Sequence, residues 1–138
     1  MIKYFVTYEQ ALALKELDFN EKCYAYFTKH EEFFYFDVDD LSSAYTKNMD
    51  NLVVNSIDKL ECTAPLKSQV FEFFREKHEL CGFSLDIDKP NCYYYGISQL
   101  FSGETIEDTS EGPYNNSFED AELDCIDKLI ELLKNEKK

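Results

Sequence analysis

Two histidines, five cysteines and 28 carboxylates are the side chains of this 138-residue chain with the means to do chemistry. His30 and His78 are the only imidazoles, and neither stands beside a serine or cysteine in a nucleophile turn such as GxSxG. A base and nucleophile assembled in space stay open as a small hydrolase, because spacing along the chain does not decide that. The cysteines at 23, 62, 81, 92 and 125 include no close pair. They match neither a disulfide framework nor a CxxC…CxxC zinc site. Each lies in or beside an apolar run, as in Cys23-Tyr24-Ala25-Tyr26-Phe27, Leu80-Cys81-Gly82-Phe83 and Cys92-Tyr93-Tyr94-Tyr95. That is the setting of a reduced thiol packed as a small hydrophobe, and it points to a reducing cytosol. Asp37-Val38-Asp39-Asp40 and Asp86-Ile87-Asp88 offer the oxygen donors that Ca²⁺ or Mg²⁺ takes. The first lacks the ligand spacing, glycine and closing Glu of an EF-hand, so both are expected as solvated strand ends without metal. None of the four glycines belongs to a phosphate-cradling loop, and no cofactor is expected.

Residues 90 to 127 contain no Lys or Arg but hold Glu104, Glu107, Asp108, Glu111, Glu119, Asp120, Glu122, Asp124 and Asp127. On a helix, Asp120, Asp124, Asp127 and Glu131 step by four, three and four, which makes one acidic line. Neighbours at those spacings sit about 5–6 Å apart, and DNA phosphates recur every ~3.4 Å of axis per strand. Such a line imitates part of a phosphate array. The alternative is an ordinary solvated face, since Lys128 follows Asp124 by four and Lys134 follows Glu131 by three. The candidate partner-binding set is therefore Asp120, Asp124, Asp127 and Glu131, extended by Glu104, Glu107, Asp108 and Glu111 from the preceding segment.

Fourteen basic against 28 acidic residues leave a formal charge of −14, and Arg75 is the single arginine. Direct nucleic-acid binding is excluded on that balance, because such proteins gather Lys and Arg on one face. Adhesion to anionic membranes fails for the same reason. A basic protein surface is the complementary partner, with solubility alone as the other reading of the charge. At 44% apolar and 16% aromatic, the chain is no disordered acidic tail. One domain, 1–138, is expected from the length. No apolar run reaches the ~20 residues of a membrane span, and Met1-Ile2-Lys3-Tyr4-Phe5 lacks the apolar core of a signal peptide. A soluble cytoplasmic protein is the expectation.

The elements that must position these groups follow from capping and periodicity. Thr7-Tyr8-Glu9-Gln10 forms a capping box, and the first helix is expected over about Tyr8 to Leu17 with Ala11 and Leu14 inward. Lys22 to Lys29 and Glu32 to Val38 alternate aromatics at period two, the pattern of a β-hairpin. Residues 39–60 form a loop or insertion, with a short strand at Leu52-Val53-Val54. Thr63-Ala64-Pro65 opens the second helix, whose apolar face is Leu66, Val70, Phe73 and Phe74. Phe83-Ser84-Leu85-Asp86-Ile87-Asp88 alternates apolar-in and polar-out, turns at Lys89-Pro90-Asn91 and returns as Cys92 to Ser98. An acidic loop over about 102–116 leads to the third helix, Phe118 to about Asn135. Its cap is Ser117 and its core stripe is Phe118, Ala121, Cys125, Ile126, Leu129 and Leu133. The order helix, hairpin, helix, hairpin, helix is that of an α+β two-layer domain, antiparallel hairpins with three helices on one face.

Three segments together carry a resemblance. They are Thr7 to Phe19 (TYEQALALKELDF), Thr63 to His78 (TAPLKSQVFEFFREKH) and Ser117 to Glu131 (SFEDAELDCIDKLIE). The set resembles a family of small acidic proteins carried by bacterial phages and other mobile elements. The resemblance covers the helices, about a third of the chain, and brings no catalytic residue with it. It implies a gene product working in the cytoplasm of a bacterial host. The stretch from Asp37 to Cys62 is longer than that family's pattern, as a binding loop or tolerated surface would be. The function expected is a non-enzymatic accessory protein that binds a basic site on a host protein. Mimicry of nucleic acid to inhibit a defence nuclease is its concrete form, and a phage structural or assembly part is the alternative.

Overall fold

The computed structural model describes residues 2–36, 50–54 and 58–136. The class is α+β, with helices packed against antiparallel strands. The chain divides into two compact units, Met1–Leu66 and Lys67–Lys138. The expected hairpins thus belong to two sheets rather than one, because each recruits its own third strand. No helix among the described residues is long and apolar enough to cross a membrane.

In the first unit a 3-10 turn, Ile2–Tyr4, precedes α1, Tyr8–Glu16. The Gln10 N–H donates to Thr7 Oγ1 and the Thr7 N–H to Gln10 Oε1, both at 3.2 Å. That reciprocal pair satisfies two of the donors a helix start leaves without partners. Ala11 and Leu14 are buried, and the chain leaves the helix through Asp18 at φ 64. β1, Ala25–Thr28, and β2, Phe33–Tyr35, form the expected hairpin with Tyr26 opposite Phe34. Phe27 and Phe33 turn inward, edge-on to Tyr8 and Phe5 at 5.5 and 5.0 Å, a geometry that aromatic quadrupoles favour. β3, Leu60–Thr63, pairs with the other side of β1.

Two expectations in this unit are corrected. Leu52 to Val54 is not a strand but part of a short helix, α2, Asn51–Val54. Buried Asn51 holds it there, donating from Nδ2 to the Phe19 carbonyl at 2.7 Å and accepting the Thr63 N–H on Oδ1 at 2.8 Å. These distant bonds override the strand preference of two valines. Nor does Thr63 open a helix, because it ends β3. Ala64 donates to the Ala25 carbonyl and Pro65 accepts from Val6, so the chain stays extended through Leu66. The Asp37–Asp40 cluster and positions 39–49 and 55–57 of the expected loop lie outside the described residues.

The second unit begins with α3, Lys67–His78. β4, Leu80–Asp86, and β5, Tyr93–Gln99, pair in unbroken register from Leu80 opposite Gln99 to Asp86 opposite Tyr93. β6, Thr105–Asp108, lies inside the segment expected as an acidic loop. It forms because Gly103 at φ 69 lets the chain reverse tightly, with Gln99 donating to the Glu104 carbonyl at 2.9 Å. Ile106 bulges between Thr105, opposite Ser98, and Glu107, opposite Ile97. α4, Phe118–Glu136, is capped by the Ser117 hydroxyl, which accepts the Asp120 N–H at 3.1 Å.

Ala121, Cys125, Ile126, Leu129 and Leu133 of α4 are buried as expected, joined by Ile130. Phe118 is corrected. At 42% exposed it lies at the start of the helix, its ring 6.4 Å from Tyr93. The faces of β4 are also the reverse of the expectation. A Cβ on Gly82 would stand 2.9 Å from Cys125 Sγ and 3.1 Å from Leu129 Cδ1, so Gly82 faces α4. Its odd-numbered neighbours Phe83 and Leu85 therefore point away, 41% and 47% exposed. Close approach of helix to sheet needs the residue with no side chain, and that requirement outweighs the pull of two apolar side chains.

Candidate protein-binding surface

With one side of α4 buried in the core, its opposite side carries the acidic line. Asp120, Asp124, Asp127 and Glu131 are all exposed there, as the four-three-four spacing requires. Asp124 is oriented by Asn115, whose Nδ2 donates to Oδ2 at 2.6 Å. Asn115 is itself fixed by paired backbone bonds to Tyr93. Lys128 interrupts the line with an ammonium 3.5 Å from Glu131 Oε2 and 3.5 Å from Glu107 Oε2. A single lysine thereby ties an acid of β6 to the helix.

The remaining candidates lie on β6 and its flanks. Glu104 is exposed at the turn before the strand, and Glu111 after it. Asp108 accepts the Ser110 N–H at 2.8 Å, which holds its carboxyl below the usual range. The acids make themselves felt at Tyr95 on β5. Burial raises its phenol first, and Glu107, Asp124 and Glu131 are among the groups that raise it further. Negative potential at the seam between α4 and β5 is thus a property of the assembled unit, not of one helix face.

The other chemically able residues are engaged differently. Burial pushes the thiols of Cys23, Cys62 and Cys125 up to about 12. They stay protonated at neutral pH and are poor nucleophiles. His78 packs edge-on to Phe73 at 5.1 Å. His30 lies in the exposed β1–β2 turn, its backbone N–H bonded to Thr28 Oγ1. Among the described residues no group of three or more His, Cys, Asp or Glu could hold a metal ion.

Sequence reasoning missed a groove of about 650 Å³ where α3 and α4 end, lined by Leu80, Leu100, Phe101, Ile106 and Leu132 among others. Phe101, 81% exposed, stands at its mouth. The signal was there in Leu100-Phe101, an apolar pair in a turn where polar residues are the rule. Comparison with known protein families, with curated proteins and with solved structures finds no match to the chain.

Proposed function

We propose that the protein is a non-catalytic binding protein whose second unit offers α4 to a basic site on a protein partner. The observation that carries this is the exposed row Asp120, Asp124, Asp127 and Glu131, with Glu107 drawn alongside through Lys128. Clustered carboxylates of this kind steer a basic partner during diffusion and fix its register. Burial takes the thiols of Cys23, Cys62 and Cys125 out of covalent catalysis. The resemblance to phage and mobile-element proteins supplies the setting. The partner is a protein of the bacterial host cytoplasm, and a site that normally holds nucleic acid, such as that of a defence nuclease, has the matching charge.

The test uses the intact protein to capture its partner from host lysate and then follows association in real time. Asp120→Asn, Asp124→Asn, Asp127→Asn and Glu131→Gln together should slow association about tenfold or more at low salt. The gap should close as salt shortens the Debye length to ~8 Å and below. Exposed substitutions shift stability by only about ±0.5 kcal/mol each, so the variant should fold. Association at the wild-type rate in low salt overturns the proposal.

A further inference from the structure

Among the described residues β4 is paired on one side only, since the sheet order is β4-β5-β6. The Glu79 carbonyl accepts the Leu100 N–H, and the Ile87 N–H donates to the Cys92 carbonyl. Both pairs continue the β4–β5 register, which has no shift. Bonded and non-bonded pairs alternate in such a ladder. The odd residues 81, 83 and 85 therefore bond to β5, and the N–H and C=O groups of Leu80, Gly82, Ser84 and Asp86 point outward. Among the described residues, no backbone–backbone bond outside the ladder reaches these four.

Proteins blunt such edges with lysine, proline, bulges or shortness. β4 runs seven residues, Leu-Cys-Gly-Phe-Ser-Leu-Asp, without a basic residue, a proline or a register shift, and its one charge is Asp86 at the end. The opposite edge, β6, has four residues, a bulge at Ile106, and Glu107 and Asp108.

We propose that β4 pairs antiparallel with β4 of a second copy, about a two-fold axis at Phe83. In that register Leu80 faces Asp86 and Gly82 faces Ser84. All four are even positions, so the outward groups meet as bonded pairs. The odd pairs, Phe83 with Phe83 and Cys81 with Leu85, become the closer non-bonded pairs. Their side chains lie on the sheet face away from the helices, where Phe83 and Leu85 are half-exposed, and aromatic and aliphatic cross-strand pairs stabilise such a ladder. The chain thus supplies both sides of the match itself: outward groups meet in phase, and the half-exposed Phe83 and Leu85 are covered by apolar side chains of the second copy. A charge of −14 on each copy opposes the union, so salt strengthens it. Binding through the α4 row weakens with salt, which keeps the two associations distinguishable.

Sedimentation of the full chain from micromolar to near-millimolar concentration should show a monomer–dimer equilibrium that shifts toward dimer as salt rises. Leu85→Lys should raise the dimer Kd about tenfold, by removing two cross-strand pairs and setting a charge in each. Leu85→Cys, treated with oxidised glutathione, should join to Cys81 of the second copy. Non-bonded Cα atoms ~4.5 Å apart lie within disulfide reach, whereas positions 81 and 85 of one strand stand about 13 Å apart. Peptide mass spectrometry identifies that link even if Leu85→Lys fails to fold. A monomer at every concentration and salt overturns the proposal and leaves the edge to a strand of another protein. A dimer that survives Leu85→Lys and yields no 81–85 link overturns it equally.

Discussion

Lys67 carries its ammonium into the second unit, 95% of the side chain buried, and Glu122 Oε1 stands 3.7 Å away. Removing two charges from water is expensive, and their attraction offsets that only in part. Glu122 records the imbalance, because burial raises its carboxyl and Lys67 lowers it by less. A carboxyl whose folded pKa exceeds the unfolded value adds stability below the unfolded pKa of 4.5 and loses it as pH rises through the raised one. At neutral pH the pair is therefore fragile. Glu122→Ala should lower stability by about 3 kcal/mol in urea unfolding, because it strands a buried cation. Lys67→Met combined with Glu122→Leu should restore most of that loss. The thiols give a second check. Partly exposed Cys81 and Cys92 should react with a thiol reagent at pH 8 before the chain unfolds, and buried Cys23, Cys62 and Cys125 only as it unfolds. The stability these three supply is full below their ordinary value of 9 and is lost as pH climbs toward about 12. The urea midpoint should fall across that window.

Among the elements, α4 buries one side in the core and exposes the other, so its two sides answer to different tests. Leu129→Ala should cost ~2–5 kcal/mol, the range for a truncated buried leucine. Gly82→Ala should cost about 1–3 kcal/mol, since its methyl would press on Cys125 and Leu129. The helices were legible because their signals are local: the Thr7 box, the Ser117 cap and stripes at three and four. The β1–β2 and β4–β5 hairpins were legible from alternation and turn residues. Which face of β4 turns inward was not, because period two is symmetric and only the helix above Gly82 breaks the tie. The helical turn at Asn51 was hidden in the same way, since its cause lies in Phe19 and Thr63. At the candidate surface, the row on α4 could be read from spacing. Glu107 beside Lys128, and the groove at Phe101, depend on the reversal at Gly103, which brings distant stretches of chain together.

Across the whole molecule, net charge sets solubility. The isoelectric point is about 4.4, so solubility should pass through a minimum near that pH, readable as turbidity in a pH series. The second unit also pairs a clean strand edge with a spoiled one. A sheet with two clean edges adds copies without end, as a filament does, whereas one usable edge closes after a single union. The extra residue at Ile106 is then a terminator. Deleting it would straighten β6 into register with β5 and leave only the strand's shortness and the acids Glu107 and Asp108 to guard that border. Thioflavin fluorescence after weeks of storage should rise in the deletion variant and stay flat in the parent. The shelf life of the protein, on this account, hangs on how one short strand is spoiled, the bulge at Ile106 above all.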